Sequence, residues 1–483
     1  MSEVRIFHSH IEVYPYEKGE CPTIEKMLSK YIKMNNGYGK YEPMAYYIEN
    51  NILYLPRGIN ISLLEKHFHT TPVPVSKYDD YVKIKKGVPS YPPKSTIQEN
   101  AIDFLCGTND YAYTSRYSQL GLNLDTGDGK TYATVSALLK MKIKAIIFTH
   151  QEKLKLQWIK TFEDMTTFPI ENLCNISGTE VIDEIMDGKI NAEIYCVNHQ
   201  TIAAYAREHG WASIRKFFQK IKVGIKVYDE AHKFFENIFM IDNFSNVYKT
   251  FYLTATFGRS DSKEISIYKK AFSSLARFGE ETLNSEEKRK HIIFVVVYYK
   301  SRPQYGILPI VRNQYGFSSY KYIDYALHEE SNSMMKVVYL ILDKIKKLEG
   351  KTLILSPKTE SVDYIADKVS EYTGEEVGII HSKVSKQKSE NAKEKKIISS
   401  TIKSVGEGTD IKGLRCLIDL EPVSSKLLAD QVRGRLREYS DTDDTFLFYP
   451  VDTTVNESYE CLRRILPVMK KKCKEIIYMK VEV

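Results

Sequence analysis

No stretch of this 483-residue chain approaches the roughly 20 consecutive apolar residues that a bilayer-spanning helix needs. Met1-Ser2-Glu3-Val4-Arg5 also lacks the order of a secretion signal. A cytoplasmic protein without membrane attachment is therefore expected. None of the seven cysteines (21, 106, 174, 196, 416, 461, 473) stands in a C-x-x-C pair. That absence argues against a zinc site or a disulfide framework, and the thiols read as reduced and buried. There is no repeat period and no low-complexity tract. The net charge of +7 is a mild excess, which permits a polyanionic partner without requiring one. What is present, 43% apolar and 27% charged residues, is the composition of a globular protein. At this length about two to four domains are expected.

The chain changes rhythm twice. Residues 1–88 alternate like a small α+β unit: a strand at VRIFHSHIEVY, a helix at TIEKMLSKYIKM, a hairpin at MAYYIENNILYLPRG and a helix at ISLLEKHF. GVPSYPPK (87–94), with three prolines and no period, reads as a linker. From there short β-rich runs alternate with amphipathic helices, the pattern of a parallel sheet: KAIIFT, AEIYCV, GIKVYDEAH and TFYLTAT. The pattern restarts at HIIFVVVYY (291–299) and continues through KTLILSP, EVGIIHS, KIISST, CLIDL and DTFLFYP. The division expected is 1–88, 89–283, 284–456 and a basic helical tail at 457–483, where Pro467 must kink or split the helix.

Two segments carry chemistry. DTGDGKTYAT (125–134) follows an apolar run and opens a helix. A strand, a glycine turn and a helix start point several backbone N–H groups at one spot, where the helix dipole also favours an anion. Thr126, Gly127, Asp128 and Gly129 would shape the turn, Lys130 would reach the outer phosphates, and Thr131 would face a magnesium ion with Tyr132 beside it. The strict pattern wants glycine where Leu124 stands, so the stretch alone leaves an ordinary glycine turn open. DEAH (229–232) follows the run IKV, which sets Asp229 and Glu230 at the carboxyl end of a strand, where open α/β sheets bind ligands. An Asp there suits Mg²⁺, and the adjacent Glu suits polarising a water.

Taken together, the two segments resemble the motor core of superfamily 2 DNA helicases, over roughly residues 95–455. The resemblance implies two tandem RecA-like parallel-sheet domains with a small α+β N-terminal domain, using ATP and Mg²⁺. Gln98, in STIQENAIDFL, takes the place of the glutamine that reads adenine. Gln157 and Trp158 stand in the family's Gln-Trp place, and Asn198 and His199 in CVNHQTI fit the next strand-contact loop. His232, Thr254 and Thr256 take the positions that couple hydrolysis to strand movement. In the second half STIKSVGEGTDIKGL offers Thr401, Gly408, Thr409 and Asp410. QVRGRLRE, with Gln431, resembles the arginine-finger helix. There the chain departs from the family: Glu438 fills the last arginine place and the arginine sits one residue early, at Arg437. Residues two apart on a helix do not share a face, so Arg435 is the firmer finger, with Arg437 or Arg433 as the second cation.

Within the superfamily the motifs resemble the phage UvsW-type and XPB- and RecG-like helicases. That implies 3′→5′ translocation on DNA, with unwinding or branch migration of forks and junctions, by a monomer. An RNA-directed helicase, a transcript-release ATPase and a duplex translocase that leaves strands paired stay open as alternatives. The 35 tyrosines and the compact size point toward a virus-encoded protein acting in a bacterial host cytoplasm. Residues 1–88 are expected to select the DNA structure, with Arg57 in YLPRGI facing a duplex.

Overall fold

The computed structural model describes residues 2–33, 39–74, 81–124, 128–254, 267, 270–272, 275–279, 290–301, 311–313, 316–328, 332–406, 411–437, 439–440 and 442–483. Thr126, Gly127, Thr256, Gly408, Thr409 and Asp410 lie outside them. The chain divides into two compact units, Met1–Asn284 and Ser285–Val483.

The first unit is built on a seven-stranded, fully parallel sheet. Its order is Leu173–Ile176, Ile194–Asn198, Ala145–Thr149, Ile225–Tyr228, Lys249–Thr254, Gln119–Asn123, Ala276–Phe278. The central strands are apolar on both faces, as a sheet covered on both sides requires. One face (Ile147, Cys196, Val227, Phe251, Leu253) packs with the helices Thr96–Cys106 and Lys130–Met141 in one core. The other (Phe148, Val197, Tyr228, Tyr252) joins a core that continues through Val4, Ile11, Leu53 and Leu64 of the N-terminal region. That region is a mixed sheet in the order Tyr47–Glu49, Ile52–Pro56, His10–Tyr14, Glu3–Ile6, Val73–Pro74, with the helix Ile61–Phe68. The helix Phe235–Asn243 of the larger sheet's domain packs on strands His10–Tyr14 and Ile52–Pro56.

Three details differ from the sequence reading of this region. VRIFHSHIEVY is two antiparallel strands, because Phe7 N–H donates to His10 O (2.9 Å) and turns the chain. TIEKMLSKYIKM is helical only over Pro22–Met27, and Ser29–Lys33 then pairs as a hairpin strand with Gly39–Pro43. GVPSYPPK and the residues before it are not a loose tether. Ile84 N–H donates to Lys142 O (2.9 Å), Ser90 N–H to Met165 O (2.8 Å) and Thr167 N–H to Val88 O (2.9 Å). A proline-rich segment with no helical or strand period still finds partners along the surface it crosses.

The second unit is again a seven-stranded parallel sheet, in the order Val377–Ile380, Ile397–Thr401, Lys351–Ser356, Leu414–Asp419, Thr445–Asp452, Ile292–Tyr299, Glu475–Lys480. Residues 457–483 are therefore not an appended helical tail. The helix Asn456–Lys472 runs through Pro467 and leads into Glu475–Lys480, which pairs in parallel with Ile292–Tyr299. Pro467 is exposed, so the carbonyl it leaves unbonded can be met by water. No helix among the described residues is long and apolar enough to cross a membrane.

Candidate functional site

Strand register gathers the first unit's chemistry on one edge. Thr254 lies opposite Asn123, Tyr228 lies between Phe148 and Tyr252, and Asn198 lies opposite Thr149, so the residues that follow each emerge together at the carboxyl ends. Beyond Asn123 the chain turns through Gly129 (φ 83°) into the helix that begins at Lys130. A side chain at Gly129 would suffer twice: the backbone is left-handed, and its Cβ would lie 2.3 Å from Gln98 Nε2. Gln98 is buried beside this turn. Its Oε1 accepts from Lys94 N–H (2.9 Å) and its Nε2 donates to Asp128 O (3.2 Å). Thr131 and Tyr132 lie half-buried on the helix's first turn, and the Tyr132 hydroxyl donates to Tyr91 O (2.5 Å).

Among the described residues Lys130 Nζ makes no hydrogen bond, and it stands 3.5 Å from Glu230 Oε1. That is close enough for attraction and too long for a good hydrogen bond. Glu230 has φ 51°, a left-handed conformation unusual for a non-glycine residue. It is held there by Ala231 N–H on Leu253 O (2.9 Å) and by Lys233 N–H on Glu230 O (2.8 Å). Backbone strain of this kind gathers at functional sites. Burial works to protonate Glu230, but Lys130, His232 and Lys233 outweigh it and hold its pKa below the ordinary carboxyl value. Asp229 beside it moves the other way. Burial, and then the Glu230 charge, raise it, opposed by the Trp158 indole and Lys130. Two adjacent carboxyl groups are thus driven apart in proton affinity, as a site that needs one charged and one cation-hungry oxygen would have them. His232 Nδ1 meets Thr254 Oγ1 at 2.9 Å and Glu230 Oε2 at 3.3 Å, and burial lowers its pKa to about 4, so the ring is neutral near pH 7.

Two residues read as strand contacts are placed elsewhere. Trp158 is 1% exposed and its indole N–H donates to Asp229 Oδ2 at 2.9 Å, so it supports the carboxylate from behind. The signal was available: Leu154, Trp158 and Phe162 recur at four-residue spacing on the buried stripe of the helix Glu152–Met165. His199 is equally buried. Its ring lies 5.7 Å from both Phe148 and Tyr228, and burial lowers its pKa to about 3. Gln157 is exposed, and Asn198 is half-buried, accepting from Thr149 Oγ1 (2.7 Å) and donating to Glu152 Oε2 (3.1 Å). Arg57 does not face outward. It lines a small recess with Ser9, Gln119, Phe239 and Asp242, where its Nε finds no hydrogen-bond partner among the described residues.

In the second unit Thr401 is buried and caps the short helix Ile402–Gly406, donating to Ser404 Oγ (2.8 Å) and accepting from Ser404 N–H (3.2 Å). The helix carrying half-buried Gln431 ends at Arg433. Arg435 and Arg437 therefore follow it, on turns closed by Arg435 N–H on Val432 O (3.1 Å) and Leu436 N–H on Arg433 O (3.0 Å). The helical-face argument consequently does not apply to them: Gly434 stops the helix, and buried Leu436 sets the direction of the turn. Arg435 is half-buried and Arg437 exposed. Arg433 is buried, its Nε on Asp430 Oδ1 (2.8 Å), which removes it as a second finger.

Comparison with known proteins agrees with this architecture. Residues 94–259, about a third of the chain, match the family model described as the type III restriction enzyme, res subunit. No curated protein matches the chain. Among solved structures, Mss116p bound to single-stranded RNA and AMP-PNP aligns over 81% of this chain and 75% of its own, at 17% identity and a TM-score of 0.54. The type ISP restriction-modification enzyme LlaBIII bound to DNA aligns over 83% of this chain and 31% of its own, at 14% identity and 0.55. T4 UvsW aligns over 99% of both chains, at 14% identity and 0.37. The matches to Mss116p and LlaBIII show the fold: two tandem RecA-like lobes with a small mixed sheet before them.

Proposed function

We propose that this protein is an ATP-dependent motor that moves along DNA, unwinding or branch-migrating forked and junction substrates. The observation that supports the reading most is the pairing of Lys130 Nζ with Glu230 Oε1 at 3.5 Å, beside half-buried Asp229, with Lys130 the first residue of the helix Lys130–Met141. An ammonium that has no hydrogen bond among the described residues and belongs to the first residue of a helix suits the outer phosphates of ATP. Asp229 and Thr131 would hold Mg²⁺. The donor set fits: among the described residues no cluster of three or more ligating side chains gathers, and this ion characteristically takes one or two protein oxygens and completes its shell with water and phosphate. When bound, it would neutralise charge on the leaving phosphates.

The rest is done by the chain's own residues. Trp158 fixes the Asp229 carboxylate, Lys130 keeps Glu230 ionised to orient the attacking water, and neutral His232 joins that carboxylate to Thr254. Arg435 of the second lobe would stabilise charge on the departing phosphoryl group. The test is one panel of ATP turnover and strand separation across single strands, forks, three-way and four-way junctions, and RNA. Stimulation by branched DNA above the other substrates is expected. Stimulation by RNA alone would transfer the motor to RNA, and displacement of a triplex-forming strand without unwinding would make it a duplex translocase.

A further inference from the structure

The turn that carries Asp229 and Glu230 ends in an aromatic residue that the nucleotide site does not use. Phe234 is 42% exposed and has φ 53°. It occupies the cap position of the helix Phe235–Asn243 and makes no side-chain capping bond. Glycine would relax that backbone, and Asn, Asp or Ser would cap the helix. A phenylalanine does neither, and its exposure leaves it little of a core residue's role. Its neighbours are rings. His150 lies 6.0 Å from it and His199 6.4 Å, and His199 is in turn stacked 8° from parallel with Tyr228. A buried aromatic pile thus backs one side of an exposed ring.

The sheet order fixes where this ring sits. Strand Ile225–Tyr228 divides the carboxyl edge: Lys249–Thr254 and Gln119–Asn123, with the Lys130 turn, lie to one side, and Ala145–Thr149 and Ile194–Asn198 lie to the other. His150 follows the first of those last two strands and His199 the second. The Phe234 ring therefore lies on the side away from the phosphate turn, near the Thr149–Asn198 hydrogen bond and exposed Gln200, whose amide donates to His150 O (3.4 Å). Within one turn His232 reaches the hydrolysis side, to Thr254, and Phe234 reaches the opposite side.

We propose that Phe234 is a stacking platform for a nucleobase of a single strand crossing the ends of strands Ala145–Thr149 and Ile194–Asn198. This inference rests on the strand-binding reading above and adds a contact to it. A phenyl face accepts any base and reads neither sequence nor the 2′-hydroxyl, so DNA and RNA strands are gripped alike at this point. Because Phe234 is four residues from Glu230 in the same strained turn, a stacked base would bias the conformation in which the carboxylate is held.

The experiment is fluorescence anisotropy of the full chain with a short labelled oligothymidylate, the matching oligouridylate, and the same sugar-phosphate chain without bases, alongside binding of a fluorescent ATP analogue. Phe234→Ala and Phe234→Leu should each weaken both base-bearing strands about 5- to 100-fold, while Phe234→Tyr and Phe234→Trp keep native affinity. The abasic chain should bind the native protein and the alanine variant equally. Equal binding of oligothymidylate by native and Phe234→Ala protein overturns the proposal, and so does an equal loss on the abasic chain. If the native protein binds the ATP analogue and none of the three strands, the strand-binding reading itself falls and takes this inference with it.

Discussion

The two lobes repeat one topology and use it differently. Counted from the first strand of each sheet, both run in the order 3-4-2-5-6-1-7. In both, the fifth strand ends in an aspartate: Asp229 just beyond Tyr228, and Asp419 as the last residue of Leu414–Asp419. Asp229 is met by the Trp158 indole at 2.9 Å and shares its neighbourhood with Lys130. Asp419 is governed by burial and by the nearby Glu421 charge, both of which push its pKa well above the ordinary carboxyl value, opposed by the Glu421 backbone N–H. Among the described residues, the first lobe's fifth strand is the one with a lysine at the start of a neighbouring helix close to its end. Both carboxyls are raised by burial and a neighbouring glutamate; the sheet supplies the location, and the neighbouring strand ends add the Trp158 N–H and Lys130 that oppose the rise at Asp229 alone. The lobes also cover their sheets differently. The second packs both faces with its own helices, whereas on one face of the first the core of sheet and helices continues into the N-terminal sheet.

That contrast can be broken by truncation. Removing residues 1–88 should leave the first lobe unable to fold cooperatively, since Phe148, Tyr228 and Tyr252 would lose cover and the buried Lys226–Asp242 pair would open toward water. Residues 285–483 alone should still melt in one transition. A sharp melt from residues 89–284 by themselves would show the N-terminal sheet to be dispensable to the core.

Among single changes, Arg435→Ala should cost the most turnover, about 10³-fold or more if its guanidinium meets the leaving phosphoryl group. Exposed Arg437→Ala should cost less, and the reverse order in steady-state ATPase assays would reassign the finger. Asp229→Asn should lower turnover about 10²- to 10³-fold. Asp419→Asn, at a carboxyl whose charge burial and Glu421 already oppose, should stay close to native. Comparable losses at the two positions would abolish the distinction between the lobes.

Trp158→Phe keeps the ring's bulk and removes the N–H. It should weaken the dependence of ATP binding on Mg²⁺ about 10- to 100-fold while leaving metal-free nucleotide binding intact. Loss of both together would mean that Trp158 only fills space.

The smallest effect is on stability against pH. His150, His199 and His232 are buried with pKa values lowered to about 4, 3 and 4. The unfolded chain, near 6.5, therefore binds more protons than the folded one at intermediate pH, and stability falls as pH drops from about 6.5 toward 4. His199→Phe, which removes a ring whose Nδ1 has no hydrogen bond among the described residues, should flatten that decline by up to about 1.4 kcal/mol per pH unit. Urea midpoints at several pH values would read it. Parallel pH dependences would place the sensitivity in the other groups.

Much of this was legible from residues alone. Apolar runs of the right length located both parallel sheets, and Gly129-Lys130 and Asp229-Glu230 could be set at strand ends by the runs before them. The failures share a cause. Trp158 and His199 carry polar nitrogens in motif positions, and only packing shows that those nitrogens face inward. The strand Glu475–Lys480 follows a basic helix and has a mixed pattern, because it is a sheet edge with one neighbour. The helix expected through Arg437 stops at Arg433 because Gly434 ends it and Leu436 finds a core to enter.

The sequence by itself determined that there are two parallel sheets and the order in which the turns appear along the chain. These follow from local periodicity and from where glycine, lysine and acidic residues fall. Tertiary structure alone decided which turns become neighbours, because strand order is set by packing between segments far apart in the chain. With it came the proton affinity of each buried carboxyl, which depends on the charge a few ångströms away and not on the residues beside it in the chain.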